Sequence, residues 1–153
     1  MYRIDNEEKT IHATRGDAVL FDVEAVNTLG NAPYGFVEGD TIRIKITKKR
    51  NADDVVLEKV FVVDSAAIQR NKDQGKGDKL ESVQIFLSPE NTKELTKGKV
   101  ISKPTTFWYE IEYLRTVDGE LNTDNTQTIL GYDEDGAKQF ILYPEGGEYE
   151  GGT

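Results

Sequence analysis

Residues 41–48 read TIRIKITK and residues 107–114 read FWYEIEYL. In the first stretch Ile42, Ile44 and Ile46 alternate with Arg43, Lys45 and Thr47. A helix, turning roughly 100° per residue, would scatter those isoleucines around its circumference, so the stretch is a strand with one apolar and one wet face. In the second stretch Phe107, Tyr109, Ile111 and Tyr113 share one face while Glu110 and Glu112 share the other, the pattern of a central strand. Working outward, residues 10–15 (TIHATR) and 18–25 (AVLFDVEA) are strands separated by a Gly16-Asp17 turn. Residues 28–39 (TLGNAPYGFVEG) form a loop. Residues 55–63 (VVLEKVFVV) are a strand whose alternation breaks at Lys59, where a bulge or twist is expected. Residues 69–79 (QRNKDQGKGDK) contain no apolar side chain and are expected to form an exposed loop.

A strand over 82–87 is followed by Ser88-Pro89-Glu90, which supplies a capping hydroxyl, a proline at the first helical position and an acid facing the helix dipole. This predicts one short helix over 89–96. Residues 116–125 are rich in turn formers. Strands over 127–132 and 138–143 are joined by Asp133-Glu134-Asp135-Gly136, a hairpin signal. Strands that are not interleaved with helices argue for an antiparallel sandwich or barrel rather than a parallel α/β sheet.

The 153 residues suit one domain, and a chain of this length can bury about two-thirds of its unfolded surface. One Trp, seven Tyr and six Phe within a 37% hydrophobic composition are enough for a packed interior. Lys and Arg number 19 against 28 Asp and Glu, a net charge of -9, which argues against a nucleic-acid scaffold or a basic membrane-surface protein. With no Cys and a single His, disulfides, thiolate zinc sites, cysteine nucleophiles and multi-histidine metal cages are excluded. The sequence has neither the apolar stretch of a secretory signal nor that of a membrane span, so a cytoplasmic origin is expected.

The aromatic strand FWYEIEY after a short helix, the closing run TILGYDEDGAKQFILYPEGG, and the opening TIHATRGDAVLFDVEA followed by GDTIRIKIT together span most of the chain. In these segments the sequence resembles the immunoglobulin-like N-terminal domain of baseplate upper proteins from phages and prophages of Gram-positive bacteria. That resemblance implies a single antiparallel immunoglobulin-like β-sandwich of about eight strands. It also implies a non-catalytic virion role, docking on other phage tail proteins or on further copies of itself, with no cofactor, no metal, no nucleic acid and no membrane insertion. In that family the domain commonly precedes a linker and a further segment, whereas this sequence ends at Thr153. The expected organisation is a polar segment over 1–9, the sandwich over 10–147 and a flexible Gly-rich tail over 148–153. The particle tail is the expected destination after synthesis in the bacterial cytoplasm.

Several constellations invite chemistry and have plainer readings. Asp133 to Asp135 lack the alternate acids of a calcium loop and read as a turn, as does Asp118-Gly119. His12 lies in the first strand without a recognisable nucleophile or orienting acid. Glu110 and Glu112 point to one side as a glycosidase dyad does, but two carboxylates on a strand with apolar residues facing the other way are far more often a solvated face. Gly75-Lys76-Gly77 is an incomplete phosphate loop. Lys48, Lys49 and Arg50 form a basic cluster at a strand end that suits an acidic partner or plain solvent. Trp108 faces the otherwise acidic side of its strand, where an aromatic anchors interfaces. With Tyr34 and Phe36 it forms the candidate partner surface; the same three residues would be the platform of the alternative function, a carbohydrate-binding or cell-surface recognition module.

Overall fold

A computed structural model describes residues 2–4, 9–23, 35–50, 54–114, 116–117, 120–121, 127–130 and 137–145. The described fold is all-β with two short helices. Its seven-stranded sheet runs in the order β1 (Tyr2–Ile4), β2 (Ile11–Thr14), β11 (Lys138–Tyr143), β7 (Thr105–Leu114), β4 (Thr41–Thr47), β5 (Val55–Val62), with β10 (Gln127–Leu130) also on β7. A two-stranded ribbon of β3 (Val19–Val23) and β6 (Val83–Leu87) contributes to the same core, and β8 (Thr116–Val117) pairs with β9 (Glu120–Leu121). The helices are α1 (Ser65–Asp73) and α2 (Pro89–Glu94).

The alternation read from residues 41–48 is the geometry of β4. Ile42, Ile44 and Ile46 have no exposed surface, and they meet Phe107, Tyr109 and Ile111 of β7, Phe140 and Leu142 of β11, and Val19, Ile85 and Leu87 of the ribbon in one cluster. Each such side chain contributes roughly 1.5–3 kcal/mol of burial free energy. The central pair is fixed by seven matched positions from Thr41↔Leu114 to Thr47↔Trp108, a register in which a one-residue slip would turn every isoleucine to water.

Four expectations are corrected. The large sheet is mixed rather than wholly antiparallel, because β11 runs parallel to β2. The strands β10 and β11 are not a hairpin: Leu130 pairs with Ile111 and Lys138 with Tyr109, so both run antiparallel to β7 along the same edge, one after the other. Asp133 to Gly136 lie outside the described residues. The segment expected to be a loop from Gln69 begins inside α1, which Asp64 caps by accepting a 2.8 Å hydrogen bond from the Ala67 N–H. Gly75 ends that helix in a left-handed conformation at φ 75°. Finally, β5 keeps its alternation through Lys59, and the bulge falls at Val56, where Ile46 pairs with Leu57 but Thr47 with Val55.

Lys59 points inward between the sheets. Its Nζ donates to the Phe86 carbonyl (2.7 Å) and to Asn91 Oδ1 (2.9 Å), and it lies 5.5 and 5.1 Å from the ring centroids of Phe61 and Phe86. Asn91 is also half of the capping box of α2, in which its backbone N–H donates to Ser88 Oγ and its Oδ1 accepts from the Ser88 N–H. One ammonium therefore ties β5, β6 and α2 together, and an inward charge on an edge strand disfavours pairing with foreign strands.

At the opposite end of α2, Arg15 is 4% exposed, donates to Thr96 Oγ1 at 2.8 Å and forms an ion pair with Glu145. Gly16 beside it has φ 86°, and a Cβ there would stand 3.1 Å from the Glu145 carboxyl carbon. Its N–H donates to the buried Thr92 hydroxyl.

Candidate functional site

Because the isoleucines of β4 point inward, Arg43, Lys45 and Thr47 must point outward, and the registers place them beside named partners. Arg43 faces Glu112 and Val60, Lys45 faces Glu110 and Glu58, and Thr47 faces Trp108. The outward face of the large sheet is thus a charge ladder ending at an indole.

Arg43 Nη2 donates to Glu112 Oε2, Lys45 Nζ lies 3.3 Å from Glu112 Oε1, and Arg43 Nη1 lies 3.7 Å from Glu58. Glu112 is 8% exposed, so it is not the solvated acid expected from alternation. Burial pushes its carboxyl upward, but the hydrogen bonds and charges of Arg43 and Lys45 together outweigh that and hold it below the usual range. The bond to Glu112 is the main influence raising Arg43, against a smaller opposing effect of burial. Arg43 Nε is buried without a hydrogen-bond partner, so the fork is only partly satisfied.

The structure separates the predicted aromatic trio. Trp108 is half-buried on the outward face, with Thr47 on β4 and Gln139 on β11 as its neighbours across the strands. The Arg50 guanidinium sits over its ring, 5.5 Å from the centroid. Phe36 is wholly buried, 5.3 Å centroid to centroid from Tyr113, and it cannot belong to a partner surface. The reason is local: Phe36 exchanges backbone hydrogen bonds with Leu80, which holds its side chain against the core. Tyr34 lies outside the described residues. Phe36 and Trp108 therefore form no exposed aromatic stripe of the kind a sugar platform needs.

Several other groups find structural employment. His12 Nδ1 is 2.9 Å from the Tyr143 hydroxyl, across the parallel strands β2 and β11, and the rings stack at 5.9 Å. Gly75-Lys76-Gly77 follows the C-terminus of α1, the wrong end of a helix for phosphate. The strands β8 and β9 pair across Asp118-Gly119, which lies outside the described residues. A shallow groove of about 480 Å³ between Val56 and α2 is lined by Glu90, Lys93, Glu94, Lys97 and Gly98. No group of three or more potential metal ligands clusters among the described residues.

Sequence reading missed Asp40. It has no exposed surface, accepts from the Tyr113 hydroxyl at 2.6 Å and from the Val37 N–H at 2.9 Å, and closes the turn that delivers the chain into β4. Burial raises the Tyr109 phenol well above its ordinary range, and its hydroxyl donates to the Lys9 carbonyl. Among the described residues no helix is long and apolar enough to cross a membrane. The sequence matches no family model, and neither curated proteins nor solved structures provide a match.

Proposed function

We propose that this chain is a non-catalytic structural and protein-interaction module of a bacteriophage or prophage tail, a baseplate-type component, built as an immunoglobulin-like β-sandwich. The strand order supports the fold reading. A sheet running β2-β11-β7-β4-β5 opposite a β3-β6 pair follows the arrangement in which a variable-type immunoglobulin domain sets its G, F, C and C′ strands against B and E. The chain departs from antibody domains in having no cysteine for the bridge between sheets and Ile44 rather than a tryptophan in the centre of β4.

The observation that carries the functional reading is Trp108, a half-buried aromatic on the outward face of a central strand, within a rigid frame of ion pairs. Large amphipathic side chains on a preorganised flat sheet are what protein interfaces use as anchors. Val55, 42% exposed and paired with Thr47, which in turn faces Trp108, extends the apolar area. The net charge of -9 keeps unassembled subunits soluble. Other tail proteins, or further copies of this chain, are the partners, and the assembled particle is the destination.

Light scattering behind size-exclusion chromatography over a range of concentrations tests this. A discrete oligomer that dissociates in Trp108→Ala is the expected result. A chain that stays monomeric throughout and instead binds on a glycan array replaces the assembly reading with sugar recognition.

A further inference from the structure

We propose that Arg50, held over Trp108, together with Lys48 and Lys49, is the receiving site for a short carboxylate-bearing segment of a partner polypeptide. This deepens the assembly reading by naming the partner chemistry at one corner of the sheet, and it rests on that reading.

The turn after β4 is pinned at both ends. The Lys48 N–H donates to the Asp54 carbonyl at 3.2 Å, and the Thr47 hydroxyl donates to the Lys49 carbonyl at 2.8 Å. Three consecutive cations therefore leave the sheet as a group, all exposed. The register that sets Thr47 against Trp108 brings Arg50 within reach of the indole. A guanidinium resting against a ring gives up conformational freedom in advance while its edge N–H groups stay available, and those groups form the fork that fits a carboxylate.

Other cations of this face and of the core are held in place, Lys59 by the Phe86 carbonyl and Asn91 and three more by acids. Arg43 is paired with Glu112 and Glu58, Lys45 with Glu112, and Arg15 with Glu145. The chain holds 28 acids against 19 bases, yet among the described residues none lies within ion-pair distance of Lys48, Lys49 or Arg50. The unneutralised charge sits beside apolar indole surface, so a segment with one or a few carboxylates next to an aliphatic residue is complementary. A long polyanion is not. Asp54 stands across the turn from Lys48, and Glu58 and Glu110 lie a few positions along the neighbouring strands, so an extended phosphate backbone would run from the cations onto acids.

Trp108 is the single tryptophan, so its emission reports on this corner alone. The full chain is titrated with a short glutamate-rich peptide containing one leucine, with the glutamine counterpart of that peptide, and with oligothymidylate of equal charge. The expected result is saturable binding of the glutamate peptide that weakens with salt, is roughly tenfold weaker in Arg50→Gln, and is absent for the glutamine peptide. Because Arg50→Gln alters the emission itself, midpoints rather than amplitudes are compared. Lys49→Gln, which leaves the stacked pair in place, is expected to weaken binding by a smaller factor. No saturable response to the glutamate peptide, equal binding of the glutamine peptide, or equal or tighter binding of oligothymidylate each overturns the proposal. A failed titration in a chain that still forms a discrete oligomer rejects this site and leaves the assembly reading standing, whereas peptide binding by a strict monomer rejects self-assembly and leaves the site.

Discussion

Replacing Glu112 by Gln removes the one carboxylate that both Arg43 and Lys45 share. The side chains are not equally dry: Glu112 is 11% exposed, while Arg43 and Lys45 are 27% exposed each. Losing one partner of a fully buried pair costs about 3–5 kcal/mol, because the other charge is stranded. Here the two cations can lean toward water and Arg43 keeps its longer contact with Glu58 at 3.7 Å, so the cost falls to about 2 kcal/mol. For a chain of this size that is a loss of roughly 4–8 °C in Tm.

The pH dependence supplies an independent sign. The Glu112 carboxyl is lowered in the folded state. Its contribution is therefore fully present above the ordinary carboxylate pKa and is lost as pH falls from there through the lowered folded value. Urea unfolding monitored by circular dichroism from neutral to acid pH should show Glu112→Gln less stable than the parent at pH 7, with the two curves converging in acid. A variant within about 0.5 kcal/mol of the parent at neutral pH, with an unchanged acid slope, would refute the picture of a desolvated ladder. Replacing Arg43 and Glu112 together by leucines of similar bulk should recover most of the loss, since the net worth of such a pair over apolar packing is small.

Lys59→Ala severs the links to Phe86 and Asn91 and should cost roughly 1–3 kcal/mol by urea melts, with concentration-dependent association as the β5 edge loses its inward charge. Phe36→Ala should cost about 3–5 kcal/mol, as for a wholly buried aromatic, and a near-neutral result would place that side chain outside the core. Asp64→Ala removes the cap of α1 and should lower hydrogen-exchange protection over 65–73, with at most about 1 kcal/mol of global loss in a denaturant melt.

The strands were legible because β-branched and aromatic residues alternate in them, and burial on one face enforces that alternation. Trp108 was legible for the same reason, since Phe107 and Tyr109 claim the inner face and leave the indole no other side. Pairing was not legible. The hairpin signal over 133–136 is local, whereas the choice between pairing β10 with β11 and placing both on β7 depends on which long edge is free. With β4 on its other side, β7 is ten residues long and can hold both in succession. The helix α1 was missed because a helix that buries only Ile68 has almost no apolar period, although the Asp64 cap stood in the sequence.

Lys59 and Phe36 were misjudged for a shared physical reason: polarity was read as a direction. A lysine on an apolar face looks like a break in the pattern, yet its alkyl stem can line a core while the ammonium reaches a carbonyl at the rim. A phenylalanine among glycines looks like surface, yet glycines let the chain fold back sharply enough to insert the ring. The converse holds at Arg50. Nothing in the KKR triplet distinguishes it from a solvated strand end; the indole against which it rests is 58 positions away in sequence and arrives only through the β4–β7 register. The placement of Arg50 over Trp108 is thus a property of register. A substitution that shifts β4 by one residue, without touching any of the three cations or Trp108, would abolish the stacked pair as completely as removing it.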